Sequence, residues 1–504
     1  MNEVGGWKRP AQGIFVALLA FVAVMIMASL VMPRVLWGMA AATDLSPGLL
    51  ALIMFVAVFV SISPNWVETW LTRLGRGTAP AIALALVLML SSWIGRIRLH
   101  WLGDQSIWLR SFQLEDTYHV LEPVSFALMR ASANAVREGA ILLSVLLGAF
   151  FALFTWLLSG ELERASPGRR AWLWLMLLFT PQLLFFRGYV ESYPLLLLSL
   201  ILLAWILLRV MRGDSMHWAW SAALVGAAAH VMGTGALPAL VYANWRRRRW
   251  IAVSGACLLA IVVAVWVLSH RSRWPANFGP LRMTLAVFDL RSAGWEGFLS
   301  GRHLLGIANV LLLLGGPLLF TVPCLPWRAW WRAPASRVLV FLIAPGFFAL
   351  LVVRLILGPV RDWDLFASYL YFMTPALATA WLARSPGNHL PRYSSALLAL
   401  AFAHSAFWSS VDMDVERGLR RAARLYGQDS IYAPEARARA AEDLAVVERA
   451  RGNPAGAERW YELATIAMPK HWRYQYNLGS LAQTLGHGEK AKQAFTNAVA
   501  LRPP

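Results

Sequence analysis

Long apolar runs recur along the first 410 residues, separated by short polar segments. A helix that crosses a bilayer needs about 20 mainly apolar residues, so each run predicts one membrane span. The first run follows Lys8 and Arg9 and is too long for a signal-peptide core, so we interpret it as an anchored first helix. The pattern predicts an all-α, polytopic membrane protein with about 11–13 spans. The runs are 14–33, 48–63, 79–95, 139–159, 171–186, 194–210, 250–269, 304–324, 337–357, 367–383 and 394–410.

The segment 217–245 does not fit one span. It is long for one crossing and short for two, and it contains Gly226, Gly233, Gly235 and Pro238. Basic residues flank it on both sides. We expect a pair of short helices or a re-entrant hairpin, which membranes tolerate where the segment is buried in protein or lines a cavity.

After residue 410 the sequence becomes polar and rich in alanine, and it repeats with a 34-residue offset. The offset pairs Gly452 with Gly486, and small, aromatic and proline residues follow at matching positions. This period and residue pattern are typical of tetratricopeptide (TPR) helix pairs. We therefore predict a small α-helical domain over 411–504 with repeats at about 438–470 and 472–504, and a degenerate unit at 412–434. Two repeats need support from a neighbour, so the domain either caps the membrane domain or binds a partner.

Composition excludes an ordinary soluble protein. Hydrophobic residues make up 58% of the chain and charged residues 14%, whereas soluble domains have about 25% charged residues. The two cysteines, Cys257 and Cys324, lie in apolar segments, which argues against a disulfide framework or a cysteine-ligated metal. The net charge of +19 would favour nucleic acid in a soluble protein. In a membrane protein it indicates basic cytoplasmic loops and an anionic lipid or lipid-linked substrate, so no nucleic-acid partner is expected.

Sorting the charges by side of the membrane predicts the orientation. With a cytoplasmic N-terminus, the cytoplasmic segments up to residue 410 hold 18 Lys/Arg and 5 Asp/Glu, and the external segments hold 14 and 11. This distribution follows the positive-inside rule. We therefore expect a protein of the bacterial inner membrane whose C-terminal domain is periplasmic, and whose chemistry faces outward.

Two long external loops are predicted, 96–138 and 270–303, and the first carries the candidate catalytic acids. Asp104 lies close to the end of a predicted span, and Glu115 and Asp116 follow, then His119 and Glu122. A carboxylate just above the bilayer is suited to deprotonating a hydroxyl that attacks a lipid-linked sugar. A solvated interfacial helix explains the same composition, and composition alone favours that simpler interpretation.

Further polar residues lie on the same predicted side, in the segments 185–194, 300–317 and 358–368, with His230 in the broken segment. Ionisable groups at or inside a membrane are costly and tend to mark functional sites. Arginines can hold a phosphate through charge-assisted hydrogen bonds. For each segment taken alone, a role in the aromatic belt or in helix capping explains the polar residues as well as a catalytic role does. Neighbouring helices could supply hydrogen-bond partners for Asn309 and His230. The candidates for substrate or phosphate binding are Arg187, Tyr189, Glu191, Tyr193, His230, Arg302, His303, Asn309, Arg361, Asp362 and Asp364.

These motifs resemble those of the GT-C superfamily of integral-membrane glycosyltransferases, which includes protein O-mannosyltransferases and bacterial lipid A aminoarabinose transferases. The similarity is greatest to bacterial members that end in TPR repeats, and it covers nearly the whole chain. The residues that carry it are GDQSIWLRS (103–111), EPVSF (122–126), RGYVESYP (187–194), HVMGTGALPAL (230–240), RHLLGIANVLLLLGGP (302–317) and RDWDLFA (361–367).

The resemblance implies transfer of a sugar from a polyprenyl-phosphate donor to an acceptor at the external membrane face, with Asp104 as general base. It places the phosphate-binding role on Arg187, Arg302 or Arg361. The family often pairs the base with a second acid and places it after the first span, whereas here Gln105 follows Asp104 and three spans precede it. Glu115 and Asp116 are the alternative bases. Some members use a divalent metal and others use none, and no ligand spacing here decides between them.

Two other functional classes compete with the enzyme. A non-catalytic membrane scaffold would use the external repeats to recruit a cell-envelope partner. A transporter of lipid-linked saccharides would need paired broken helices in two related halves, and the sequence has one broken segment and no internal duplication of the membrane part. A nucleotide-sugar donor is disfavoured because no glycine-rich phosphate-binding motif occurs in a strand–helix context.

Overall fold

The described chain is helical, and no strand occurs in it. The structure is a computed structural model, and it describes residues 8–75, 77–103, 105–112, 122–164, 168–244, 300–353, 360–384, 393–427, 430 and 432–502. The all-α membrane fold expected from the apolar runs is confirmed. The run at 250–269, Cys257 and positions 270–299 of the predicted second external loop lie outside the described residues.

The membrane part comprises residues 8–410. The connections within it include short 3₁₀ turns at Ala41–Asp44, Pro181–Phe186 and Val231–Ala236. Its helices are α1 (Lys8–Leu30), α2 (Pro47–Ile62), α3 (Pro64–Leu74), α4 (Ala79–Ile94), α5 (Gln105–Ser111), α6 (Pro123–Ala135), α7 (Gly139–Glu163), α8 (Arg170–Leu178), α9 (Tyr193–Val210), α10 (His217–Ala229), α11 (Leu237–Ala243), α12 (Gly301–Phe320), α13 (Trp327–Arg332), α14 (Pro334–Val352), α15 (Asp364–Leu370), α16 (Met373–Leu382) and α17 (Ser394–Ser409).

Fewer of these helices qualify as full spans than the sequence count of about 11–13. Within the described ranges, seven helical segments are long and apolar enough to cross a membrane, or eight if the bent pair α2–α3 is one span. The runs at 48–63 and 79–95 are single helices of 16 residues each, α2 and α4. The run at 171–186 divides into α8 and a 3₁₀ turn that begins at Pro181, because proline cannot donate the backbone hydrogen bond that would continue the helix.

The broken segment at 217–245 contains two short helices, α10 and α11, joined by the 3₁₀ turn. The chain reverses at His230, where Gly233 packs against the backbone of Gly226 so closely that no β-carbon would fit. The Met232 amide donates to His230 Nδ1 at 3.0 Å, which fixes this reversal. The glycines that interrupt the apolar pattern therefore allow a tight backbone contact.

A kink in α12 is explained by its sequence. Pro317 has no amide proton, so the Leu313 carbonyl four residues earlier has no partner within the helix. His404 on α17 supplies one, since its Nε2 lies 2.8 Å from the Leu313 oxygen. Gly316, at a φ of +48°, takes up the bend. One imidazole thereby satisfies a carbonyl that proline would leave unpaired.

Charged side chains are distributed unevenly between the two ends of the bundle. At the end where α7 stops and α8 starts, Arg164 and Arg212 pair with Glu161, and Arg169 donates to the Leu382 carbonyl at 2.8 Å. The basic turns around Arg328 and Arg332 follow α12, which runs toward the same end. The opposite end holds both acidic and basic residues.

Five helices follow the membrane part, and we call them the C-terminal helices. Gly452 and Gly486, paired by the 34-residue offset, both adopt positive φ (75° and 78°) at the turns of two successive helical hairpins. Alanines at matching positions are buried where the helices cross. One helix alone, α18, occupies the predicted degenerate unit at 412–434. The C-terminal helices are α18 (Val415–Tyr426), α19 (Pro434–Ala450), α20 (Pro454–Ala467), α21 (Trp472–Thr484) and α22 (Gly488–Leu501).

The C-terminal helices pack on the membrane part through buried charges. Asp44, in the turn before α2, accepts hydrogen bonds of 2.5 and 2.7 Å from Arg424 and lies 3.5 Å from Arg421. Trp101 donates to the Asp412 carboxylate at 3.0 Å. Contacts of this kind join α18 directly to the loops of the membrane part.

Candidate functional site

Four connecting segments meet at one end of the bundle. They are residues 96–103 after α4, 187–192 before α9, 360–364 before α15 and 409–414 after α17. Backbone hydrogen bonds hold them together: Ile97 N donates to Arg187 O at 2.7 Å, and Arg98 N donates to Asp412 O at 2.9 Å. Each segment starts or ends an apolar helix, so the helix ends bring distant stretches of sequence together.

Gly103 lies at the centre of this junction. It adopts a φ of +57°, a conformation that glycine adopts readily and other residues rarely do. A β-carbon there would overlap Asp364 Oδ2, Glu191 Oε1 and the Tyr189 hydroxyl. We call these three side chains around Gly103 the Gly103 cluster. The glycine is needed because the cluster leaves no room for a side chain.

Tyr189 and Asp364 form the closest contact in the cluster. The Tyr189 hydroxyl donates to Asp364 Oδ2, and the Leu365 amide donates to Asp364 Oδ1 at 2.8 Å. Burial raises the pKa of Tyr189 well above its usual value, and the charges of Asp364 and Glu191 raise it further. The phenol is therefore protonated at neutral pH and acts as a hydrogen-bond donor beside two carboxylates.

Arg361 ties the cluster to the rest of the protein. Its guanidinium is fully buried, and Nη2 donates to the Gly103 carbonyl at 2.9 Å and to Asp443 on α19 at 2.7 Å. In return, the Gly103 amide donates to the Arg361 carbonyl at 3.1 Å. Asp362 is half-buried in the same turn.

A second acid–base pair lies nearby. His230 Nε2 is 3.6 Å from Glu122, and because His230 Nδ1 accepts the Met232 amide, the neutral ring carries its proton on Nε2, facing the carboxylate. The Tyr193 ring packs 5.4 Å from His230 and 6.0 Å from Phe185, which also contacts Tyr189. Aromatic rings thus connect the His230–Glu122 pair to the Gly103 cluster.

Gln105 has a role that its sequence position did not indicate. In the sequence, Gln105 was notable only because the GT-C superfamily often has a second acid at this position. Its buried side-chain oxygen accepts the Val190 amide at 3.2 Å and lies 3.0 Å from His100 Nδ1, while its nitrogen donates to the Leu102 carbonyl at 3.1 Å. It thereby fixes the residues on either side of position 104 to the segment that carries Tyr189 and Glu191.

Two of the predicted arginines are placed differently from Arg361. Arg187 donates to Ser409 O at 2.9 Å and to the hydroxyls of Ser409 and Ser410, and burial lowers its pKa to about 10. It therefore joins α17 to the segment before α9. Arg302 is exposed near the start of α12.

Asn309 and His303 contact backbone groups. Asn309 accepts the Gly38 amide at 3.0 Å and donates to Val35 O at 2.7 Å, so it fixes the segment after α1. Asn309 therefore follows the simpler of its two interpretations, in which neighbouring segments provide the hydrogen-bond partners of a polar side chain inside the membrane. His303 Nε2 lies 3.2 Å from the Leu351 carbonyl at the end of α14.

The three candidate catalytic acids, Asp104, Glu115 and Asp116, lie outside the described residues, and so does His119. The described neighbours of position 104 in the chain are Gly103 and Gln105, both of which are buried in the junction. Among the residues that the structure describes, no three His, Cys, Asp or Glu side chains are grouped so as to hold a metal ion.

Sequence reasoning missed Gly103, Gln105 and Asp443. The first two flank the chosen candidate, Asp104. Asp443 had one signal: it falls on the face of α19 that also carries Ala436, Ala440 and Leu444, all of which are buried. A carboxylate on an apolar helix face is uncommon and indicates a specific partner.

Comparisons with known proteins identify no relative: neither a protein-family model, nor a curated protein, nor a solved structure matches the chain.

Proposed function

We propose that this protein is a GT-C-type membrane glycosyltransferase that transfers a sugar from a polyprenyl-phosphate donor to an acceptor hydroxyl. The observation that supports this most is the Gly103 cluster. It gathers a tyrosine and two carboxylates from two segments distant in sequence around Gly103 of a third segment, the residue that precedes Asp104. Buried carboxylates at a membrane-protein loop junction are costly, so a functional reason is expected for their presence.

In the proposed reaction, the acceptor oxygen forms a bond to the anomeric carbon of the donor sugar while the bond from that carbon to the phosphate oxygen breaks. The acceptor proton passes to the Asp104 carboxylate, and polyprenyl phosphate leaves as the anion. Glu191 and Asp364 supply acceptors for sugar hydroxyls, and the Tyr189 phenol, which donates to Asp364, orients that carboxylate. Glu115 and Asp116 are the alternative bases.

The phosphate-binding role is best assigned to Arg302 among the three candidate arginines. Nη2 of the buried Arg361 donates to Gly103 O and to Asp443, and Nη1 of Arg187 donates to Ser409 and Ser410. Arg302 is exposed and can reach an anionic lipid headgroup. His303 is adjacent to it at the same end of α12.

For the orientation, we propose a cytoplasmic N-terminus in the bacterial inner membrane, with the Gly103 cluster and the C-terminal helices on the periplasmic side. The support is the concentration of arginines at the other end of the bundle, as the positive-inside rule requires of the cytoplasmic face. The C-terminal helices are proposed to be TPR-like, on the basis of their 34-residue period.

The test uses the full-length protein in lipid nanodiscs with a panel of polyprenyl-phosphate sugars labelled in the sugar. Release of label to an acceptor, or to water, measures transfer. We expect Asp104→Asn to abolish transfer, and Glu115→Gln and Asp116→Asn to retain it. The matched control is Asp214→Asn at the opposite end of the bundle, where Asp214 pairs with Arg209 on the surface. Full activity in Asp104→Asn would remove Asp104 as the base.

The scaffold and transporter alternatives need point variants rather than truncation. Deleting 411–504 would remove a partner-binding surface, but it would also remove Asp443 and Asp412, which contact the membrane part. Loss of function on truncation therefore fits both the enzyme and the scaffold. A scaffold predicts that Asp104→Asn has no effect, and a transporter predicts movement of the intact donor across the bilayer without release of its sugar.

A further inference from the structure

Arg361 and Gly103 form hydrogen bonds with each other in both directions. The backbone amide of Gly103 donates to Arg361 O, and the side chain of Arg361 donates back to Gly103 O. The same guanidinium nitrogen donates to Asp443 Oδ2 at 2.7 Å. Asp443 thus connects the C-terminal helices to the guanidinium next to the Gly103 cluster.

Two other acids of α19 contact different partners. Glu442 pairs with Arg473 and Asn477 on α21, and Glu448 pairs with Arg451 and Asn453 in the following turn. These contacts lie within the C-terminal helices. The Asp443 carboxylate instead accepts a hydrogen bond from Arg361, which belongs to the membrane part. A buried ion pair gains little net stability over well-packed apolar side chains, so stability alone does not explain this carboxylate.

We propose that Asp443 is a positioning residue of the candidate active site. It fixes the Arg361 guanidinium, and Arg361 in turn fixes the Gly103 carbonyl immediately before Asp104. The C-terminal helices then form part of the catalytic unit. This inference rests on the proposed function, because it assumes that the residues after Gly103 carry out chemistry.

The variants separate positioning from folding. Asp443→Ala removes the carboxylate, and Asp443→Asn keeps a hydrogen-bond acceptor for Arg361 without the charge. Glu442→Gln is the matched control, since it changes a neighbouring acid of the same helix that pairs within the C-terminal helices. All variants are prepared as full-length protein in nanodiscs.

Two measurements are made on each variant. Hydrogen exchange followed by mass spectrometry reports the protection of the Gly103 amide in peptides that cover residues 99–112, and needs no activity. Transfer from the labelled polyprenyl-phosphate sugar gives kcat and KM. We expect Asp443→Ala to speed exchange at Gly103 and to lower kcat by about 100-fold with KM within about threefold, since misplacing a catalytic group by about 1 Å costs this much. Asp443→Asn should show an intermediate loss in both, and Glu442→Gln neither.

The inference is overturned if exchange at Gly103 is unchanged in Asp443→Ala, or if exchange accelerates while kcat stays at the wild-type value. An equal effect of Glu442→Gln would also overturn it, because the result would then reflect general loosening of α19. Absence of transfer in the wild-type protein refutes the proposed function. Exchange at Gly103 then decides separately whether Asp443 fixes the loop.

Discussion

Asp44 is the residue whose removal should most clearly loosen the contact between the C-terminal helices and the membrane part. It is buried and faces two arginines of α18. Arg424 is partly exposed and can be rehydrated after the loss of Asp44, whereas Arg421 is only 2% exposed and cannot. The cost of Asp44→Ala is therefore mainly that of leaving Arg421 buried without this carboxylate.

The size of this cost follows from the geometry. At the 3.5 Å between Arg421 Nε and Asp44 Oδ2, Coulomb's law gives about 5 kcal/mol with an effective dielectric constant of about 20. Removing one partner of a buried ion pair costs about 3–5 kcal/mol. We expect the lower end, about 3 kcal/mol, because Asp412 also lies near Arg421 and opposes the lowering of the Arg421 pKa that burial causes.

The assay is hydrogen exchange of the α18 amides in nanodiscs, which reports the free energy of local opening. Since 1.4 kcal/mol corresponds to a tenfold change, Asp44→Ala should accelerate exchange of α18 by roughly 100-fold. The control is Glu416→Ala, which breaks the exposed pair between Glu416 and Arg451 and should cost at most about 1 kcal/mol. If Asp44→Ala accelerates exchange no more than Glu416→Ala, the ion pair does not hold α18 in place and the reasoning fails.

Three further changes test the site and the fold. Gly103→Ala should abolish transfer, because its β-carbon would overlap the Gly103 cluster. The control, Gly486→Ala, has a similar φ but open space around it, and should cost only about 1 kcal/mol of unfolding free energy. Normal transfer in Gly103→Ala would contradict the described packing. Tyr189→Phe should destabilise the protein by about 1–3 kcal/mol in thermal unfolding, because Asp364 loses a buried donor. His404→Ala should cost a similar amount by leaving the Leu313 carbonyl without its imidazole donor, and an unchanged melting temperature would show that the kink is satisfied otherwise.

The apolar runs were sufficient to predict the fold class, because a bilayer requires helices whose backbone groups are satisfied within the segment. The 34-residue offset predicted two repeats, and the described helices from Pro434 to Leu501 form two helical hairpins. Within the described residues, fewer helices are long enough for a full span than the apolar runs predict, since hydropathy does not reveal where Pro181 or the chain reversal at His230 ends a helix.

The candidate site was predicted only in part. Sequence selected Tyr189, Glu191, Arg361 and Asp364 because charged and aromatic residues near helix ends stand out from apolar surroundings. Their contact with one another depends on how the helices pack, and the local pattern contains no signal for that. The same selection included Asn309 and Arg187, which the structure shows fixing backbone segments instead.

The sequence by itself thus determined that the chain is a helical membrane protein with a repeat-containing C-terminal region, because periodicity and hydropathy are local properties. Only the tertiary structure decided which polar residues share a site and that Asp443, some 80 residues beyond Arg361, reaches it. The physical reason is that a buried charge must find its partner in space. Packing of distant helices chooses that partner, and the spacing of residues along the chain does not record it.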